Sequence, residues 1–338
     1  MKALLVRLSS IGDVVHTLPA LRALRRSGAE CGFLVEPAAR PLIEGNPDVA
    51  CLLAAPPARG FAWREAAATA RAARALRFDV ALDFQGLWKS AAWARACGAG
   101  RVVGWRGKLR REPGSGLLIG EAPARPPGSP HVIDKNLALL GRLGIDAVGL
   151  REFPLPDTGQ EARRVGERLS ALGVAGGFVL LNPGGGWQSK LWPPEAFGAL
   201  ARALREHGQN CLVSFGPGEE ALASRVAAVS DGAARVAFPT TLRELLELLR
   251  RARLVVAADT GPLHIACALG TPVVGLYGPT DPQRNGPFAA EDRVARRTPP
   301  CAPCHRRVCP RHQGVMAGLP VDEVLALVLA RLESAAAR

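Results

Sequence analysis

The chain has no apolar run long enough to span a bilayer. Its start, Met1-Lys2-Ala3-Leu4-Leu5-Val6-Arg7, is too short and too soon charged for a secretory signal. Both absences lead to the expectation of a cytoplasmic protein. Aromatics are scarce at 5%, with a single tyrosine. Base-stacking readers of nucleic acid need aromatic-rich strands, so no nucleic-acid partner is expected. Eight cysteines are scattered along predicted strands and helices rather than set in a framework, which fits reduced thiols. A serine-hydrolase elbow of the form Gly-x-Ser-x-Gly is missing, and so is a His-Glu-x-x-His metal helix.

What is present is enough chain for two domains, 338 residues, and a formal net charge of +13 carried mainly by arginine. Such a charge permits a polyanionic substrate, an anionic membrane face or nucleic acid, and by itself chooses none of them. Apolar runs alternate with amphipathic stretches throughout. Strands are predicted at 2–7, 32–35, 79–83 and 101–104, with helices around 15–26, 66–76 and 132–143. Residues 105–130 lack periodicity and read as a long functional loop. The proline-containing stretch 152–160 reads as a linker. Beyond it come a helix near 161–172, strands at 178–182, 211–215, 254–258 and 273–277, and a final helix at 321–335. This alternation predicts an α/β protein of two doubly wound Rossmann-like domains facing across a cleft, lined by the carboxyl ends of both parallel sheets. The boundaries expected are 1–155, 156–320, and a C-terminal helix in 321–338 that packs back on the first domain.

The most informative stretch is 255–281. A buried strand stops at Asp259-Thr260-Gly261-Pro262, where a helix begins with Asp259 or Thr260 as N-cap, and Gly270 ends it. Free backbone N–H groups and the positive end of the helix dipole at a sheet's carboxyl edge suit a phosphate. This turn is not a Walker loop, because no Lys-Ser/Thr follows the glycine, and it lacks the three spaced glycines of a dinucleotide fingerprint. His264, in the first turn of that helix, is a candidate donor to phosphate or sugar.

Four other constellations carry chemistry. Arg7-Leu-Ser-Ser-Ile-Gly12-Asp13 follows the first strand, and Asp13 reads equally as a helix-capping aspartate or as a general base aimed into the cleft. In Asn182-Pro-Gly-Gly-Gly-Trp-Gln-Ser-Lys190, the glycines allow close approach to a ligand and Lys190 can place charge on a phosphate. Glu219, at another strand end, can hold a ribose diol or simply favour a helix dipole, the latter being the stronger reading in isolation. Cys301-x-x-Cys304-His305…Cys309…His312 offers metal-ligand types, but the spacing is compressed and a reduced-thiol loop is favoured, so no metal is expected. Asp281 reads as a turn residue.

Together these motifs resemble glycosyltransferase family 9, the ADP-heptose:lipopolysaccharide heptosyltransferases, across nearly the whole chain. The residues that carry the resemblance are Ser9-Ser10-Ile11-Gly12-Asp13-Val14-Val15-His16-Thr17-Leu18-Pro19-Ala20, Asp83-Phe84-Gln85-Gly86-Leu87-Trp88-Lys89-Ser90, Lys190-Leu191-Trp192-Pro193, Asp259-Thr260-Gly261-Pro262-Leu263-His264 and Tyr277-Gly278-Pro279-Thr280-Asp281-Pro282. The Asp83–Ser90 run and Arg111-Glu112-Pro113 look most like heptosyltransferase I. The resemblance implies a GT-B fold, and inverting transfer of heptose from ADP-heptose to the Kdo–lipid A inner core, with no cofactor. It makes Asp13 the base, and Lys190 with the Thr260–Gly261 helix start the stabilisers of departing ADP. Gly185, Gly186, Glu219, Thr240, Asp259 and His264 fall on the donor side, with Thr240 lining the adenine pocket. Ser10, Gly12, Lys89 and Arg111 fall on the acceptor side, the last two toward Kdo carboxylate or lipid phosphate. It further implies a monomer, peripheral on the cytoplasmic face of the inner membrane. Val315-Met316 stands where members often have a further cysteine, and Gly184-Gly185-Gly186 stands where heptosyltransferase I often has hydroxyl side chains. The rival readings are heptosyltransferase II, a protein heptosyltransferase, and a non-catalytic nucleotide-binding regulator.

Overall fold

The computed structural model describes residues 1–56, 62–124, 128–174, 177–304, 306–309 and 314–336. The chain divides into two compact units, Met1–Asp157 and Thr158–Arg338. That division falls inside the proline-containing stretch read as a linker. Its first part is tied to the first unit: Asn46 Nδ2 donates to the Pro154 carbonyl at 2.6 Å, and Arg26 pairs with Glu152 at 2.7 Å. Thr158, by contrast, bonds to buried Glu247 of the second unit.

The first unit holds five parallel strands: β1 (Lys2–Val6), β2 (Glu30–Val35), β3 (Cys51–Ala54), β4 (Val80–Asp83) and β5 (Arg101–Gly104). Their spatial order is β3-β2-β1-β4-β5. The chain therefore builds outward from β1 in one direction and then returns to β1's other side. The order reverses between β1 and β4, and in open parallel sheets the crevice at such a reversal is where ligands bind. Leu4, Val6, Ala81 and Val102 pack with Ala91, Ala94 and Ile119 in one core cluster.

The second unit repeats the plan with β6 (Val179–Asn182), β7 (Cys211–Val213), β8 (Ala234–Val236), β9 (Leu254–Ala258), β10 (Val273–Tyr277) and β11 (Arg293–Arg296). The order is β11-β10-β9-β6-β7-β8, so the reversal lies between β6 and β9. The helix Val321–Ala336 packs on the helix Pro194–Glu206 and on β9, β10 and β11 of its own unit. Trp192 is buried beneath it, with its indole N–H donating to the Leu319 carbonyl at 3.1 Å and Phe197 edge-on at 4.9 Å.

Two local differences from the sequence reading have clear causes. The helix expected around 15–26 is two helices, Ile11–Val15 and Leu18–Arg26, with Thr17 in the capping position of the second. Pro19 lacks an N–H and is tolerated only in a first helical turn, so the chain restarts there. The loop 105–130 contains two short 3-10 turns, Gly107–Leu109 and Pro113–Leu118, pinned by a buried arginine described below. All eight cysteines are free thiols, and burial pushes Cys31 and Cys211 up to about 12.

Candidate active site

In the first unit the site grows from the reversal point between β1 and β4. Asp13 sits in the first turn of Ile11–Val15, where a carboxylate favours the helix dipole. Its Oδ2 accepts from the Ser10 hydroxyl at 3.1 Å and its Oδ1 lies 2.5 Å from Arg7 Nη2. Arg7 is buried, and its other terminal nitrogen donates to the Phe84 carbonyl. The Asp13 side chain, anchored by Arg7 from below, keeps 30% exposure. The loop after β4 braces this turn: Gln85 Oε1 accepts from the Leu8 N–H at 3.0 Å and Gln85 Nε2 donates to the Ser9 hydroxyl at 3.4 Å. The helix cap is Ser10 rather than Asp13, which stands at the third helical position with its carboxylate accepting from the Ser10 backbone N–H at 3.5 Å, at the switch point of the sheet.

Of the acceptor-side candidates, Ser10 and Gly12 share this turn. Lys89 lies in the first turn of Trp88–Ala96, with its Nζ 2.8 Å from Glu36 Oε1 in the loop after β2. Arg111 is exposed, and its backbone N would lie 3.4 Å from a Cβ built on Gly86. Its neighbour Arg110 is the residue that structures the loop, and sequence reasoning missed it. Arg110 Nη2 meets Asp83 Oδ2 at 2.6 Å with both side chains wholly buried. It also donates to the Trp105 carbonyl at 3.0 Å and to the Ser115 hydroxyl at 2.7 Å. Asp83 in turn accepts from the N–H groups of Gln85 and Gly86, which fixes the turn that braces Asp13.

The second unit gathers its candidates at the reversal between β6 and β9. The loop after β6 supplies Gly184, Gly185 and Gly186, and the 3-10 turn Gln188–Lys190 follows. A Cβ on Gly184 would lie 2.0 Å from Glu219 Oε2, and one on Gly185 would lie 2.8 Å from Thr260 Cγ2. A side chain at either position would have to displace Glu219 or Thr260, which press on the loop, whereas Gly186 has open space around it. Glu219 clips the loop, with Oε1 accepting from the Gly185 N–H and Oε2 from the Gly216 N–H, each at 2.8 Å. Its carboxylate is thus engaged with backbone, and each oxygen has one further lone pair for a diol.

Asp259 ends β9, and Thr260 is the N-cap of the helix Gly261–Leu269, which closes on left-handed Gly270. Pro262 stands in the first turn, leaving the Gly261 and Leu263 N–H groups at the helix start. Asp259 itself faces inward. Its Oδ2 lies 2.6 Å from Lys190 Nζ, and Oδ1 lies 3.0 Å from His264 Nε2 and 2.5 Å from Asn285 Nδ2. Burial pushes the Asp259 carboxyl upward, but the hydrogen bond and charge of His264, then Lys190, outweigh it and hold the group below the usual carboxylate range. Lys190 also stands 4.5 Å from the Trp187 ring centroid, a cation–π contact. Asn285 is a second residue that sequence reading missed, since nothing in its proline-flanked turn signals a buried role. Thr240 lies half-buried after β8, just before Thr241, the N-cap of Leu242–Arg251.

Among the described residues no cluster of three or more histidine, cysteine, aspartate or glutamate side chains could hold a metal ion. His305 and His312 lie outside the described residues. Asp281 caps the short helix Pro282–Asn285, accepting from the Gln283 N–H at 3.2 Å, as a turn residue does. No helix among the described residues is long and apolar enough to cross a membrane.

The glycosyltransferase family 9 (heptosyltransferase) model matches residues 66–314. Lipopolysaccharide heptosyltransferase 1 of Pseudomonas aeruginosa is 30% identical, the match covering 91% of this chain and 87% of that protein. Lipopolysaccharide heptosyltransferase 1 of Escherichia coli K12 is 28% identical, over 88% and 93%. Among solved structures, E. coli heptosyltransferase WaaC with ADP-2-deoxy-2-fluoro heptose matches at TM-score 0.75 and 25% identity, over 97% of this chain and 99% of that one. A family 9 glycosyltransferase from Veillonella parvula matches at TM-score 0.82 and 19% identity, over 98% and 97%. Two parallel-sheet α/β units in one chain, shared with these structures, make the fold GT-B. Motifs, fold and matches agree, and the chain belongs to glycosyltransferase family 9, the lipopolysaccharide heptosyltransferases.

Proposed function

We propose that this chain is a heptosyltransferase I, moving L-glycero-D-manno-heptose from ADP-heptose to the Kdo–lipid A inner core with inversion at the anomeric carbon. The observation that carries the reading is the half-exposed Asp13 carboxylate, anchored by buried Arg7 at the switch point of the first sheet. The similar P. aeruginosa and E. coli proteins are named heptosyltransferase 1, and two WaaC structures hold ADP or an ADP-fluoroheptose, which supports the same donor here.

In this reading Asp13 accepts the proton of the attacking Kdo hydroxyl. The hydroxyl oxygen bonds to the anomeric carbon as that carbon's bond to the β-phosphate oxygen breaks, and ADP leaves with the electron pair. The Gly261 and Leu263 N–H groups and the helix dipole meet the charge growing on the diphosphate. Lys190 adds a positive charge that Asp259 orients and partly balances. Glu219 holds the loop whose backbone the donor approaches and takes the ribose diol, and Thr240 lines the adenine. Lys89 and Arg111 take anionic groups of the acceptor. The reaction as drawn uses no metal, and the protein works as a monomer on the cytoplasmic face of the inner membrane.

ADP release in the presence of ADP-heptose and a Kdo-containing acceptor tests the reading. Turnover on Kdo–lipid A but not on already heptosylated core separates heptosyltransferase I from its relatives named 2 and 3. Turnover with a different nucleotide sugar and none with ADP-heptose would sink it.

A further inference from the structure

The loop between β5 and the helix Val132–Leu140 combines two features that a merely connecting segment does not need. Arg106, Lys108 and Arg111 are all exposed on it, while Arg110 turns inward to neutralise Asp83. Leu117, in the turn Pro113–Leu118, is 85% exposed, and Trp88, at the start of the helix that this turn packs on, is 48% exposed. The two are parts of one compact cluster. A Cβ built on Gly114 would lie 3.0 Å from the Trp88 ring, and one built on Gly116 would lie 3.6 Å from the Arg106 Cα. The cluster is also held firmly. Arg110 ties it to Trp105 and Ser115, Arg106 Nη2 donates to the Ile119 and Gly120 carbonyls, and Lys135 Nζ donates to the Leu109 carbonyl at 2.5 Å. The one exposed acid, Glu112, accepts from the Trp88 N–H at 2.6 Å, which engages its carboxylate at a helix start.

We infer that this cluster is a membrane-docking surface for an anionic bilayer. Leu117 and Trp88 enter the interfacial zone, and Arg106 and Lys108 lie against the headgroups. An exposed leucine and a half-exposed indole, on a turn and the helix it packs against, fit the headgroup–acyl boundary, where tryptophan is enriched. Surrounding cations add attraction to anionic lipid that fades within a Debye length and weakens with salt. A soluble anion would be met by the arginines alone and would leave Leu117 unexplained. The inference rests on the lipid-linked acceptor of the proposed function, because docking here brings the first unit to the surface where such an acceptor stands.

Co-sedimentation of the full chain tests it, with vesicles of phosphatidylcholine alone or mixed equally with phosphatidylglycerol. The wild type should bind the mixed vesicles, lose that binding in high salt, and ignore the neutral ones. Lys108→Ser should weaken binding about fivefold, the usual effect of one cation near an anionic surface. Leu117→Ser should weaken it further, and the double variant should have unchanged turnover on a soluble Kdo acceptor without lipid. Equal binding by the double variant and the wild type, or equal binding to neutral vesicles, would overturn the inference. So would a dimer that the double variant abolishes, since a second copy of the chain would then cover this face. Failure of the wild type to use the soluble acceptor would count against the transfer reading alone, because the vesicle measurement does not depend on turnover.

Discussion

Asp259 Oδ2 lies 2.6 Å from Lys190 Nζ, joining the ends of β9 and β6 across the switch point of the second sheet. The two side chains are 2% and 14% exposed, so the pair is held within the fold rather than at its surface. Their partnership makes Asp259 a positioning residue for Lys190, and that role has consequences for stability.

Removing the carboxylate leaves an uncompensated ammonium in a mostly buried setting. Asp259→Ala should therefore destabilise the fold by about 3 kcal/mol, read from urea unfolding. Lys190→Met, which leaves Asp259 with His264 and Asn285, should cost less. A smaller loss for Asp259→Ala than for Lys190→Met would contradict this description of the pair.

The same group sets an acid dependence. The Asp259 carboxyl titrates lower folded than unfolded, so its stabilising contribution is complete above the unfolded value of about 3.9 and is lost as pH falls toward the folded value. Unfolding free energy should fall with acid below about pH 4, and more shallowly in Asp259→Asn. Parallel acid profiles for the two proteins would show that other carboxylates carry the effect.

Gly184 and Gly186 give a contrast within one loop. Gly184→Ala must displace the Glu219 carboxylate, and with it the clip on Gly185 and Gly216, at a cost of about 1–3 kcal/mol. Gly186→Ala meets open space and should change stability by less than about 0.5 kcal/mol. Isothermal titration with ADP should show weakened binding in the first variant only. Equal ADP affinity in both would remove Glu219 from the donor site.

Arg7 anchors Asp13 rather than touching substrate, so its loss should act through geometry. Arg7→Gln is expected to lower kcat by about 100-fold, the scale of an ångström-sized misplacement, while KM for ADP-heptose stays near its wild-type value. Arg7→Lys, which keeps a charge but not the two-pronged hold on Asp13 and Phe84, should recover part of the loss. A rise in KM for ADP-heptose without a fall in kcat would point to a different role.

The sequence made some of this plain and hid the rest for physical reasons. The strands Arg101–Gly104, Leu254–Ala258 and Val273–Tyr277 stand at their expected bounds, because buried parallel strands are continuous apolar runs between turn residues. Cys51–Ala54, Ala234–Val236 and Arg293–Arg296 went unread. All three are edge strands, short and partly exposed, and two of them contain arginine, so they lack that signature. Asp13, Lys190, Glu219 and the Asp259–His264 turn were legible because each follows a strand end. Their mutual contacts were not, since Lys190 and Asp259 are 69 residues apart and meet only through strand order. Arg110 and Arg111 are adjacent in an aperiodic loop, where no pattern tells which one faces Asp83.

Base-assisted heptosyl transfer by Asp13 is read from ADP release with ADP-heptose and a Kdo acceptor, comparing the wild type with Asp13→Ala. Turnover by the wild type and a fall of about 100-fold or more in kcat for the variant, with ADP affinity retained, are expected. Asp13→Ala turning over at the wild-type rate would contradict it.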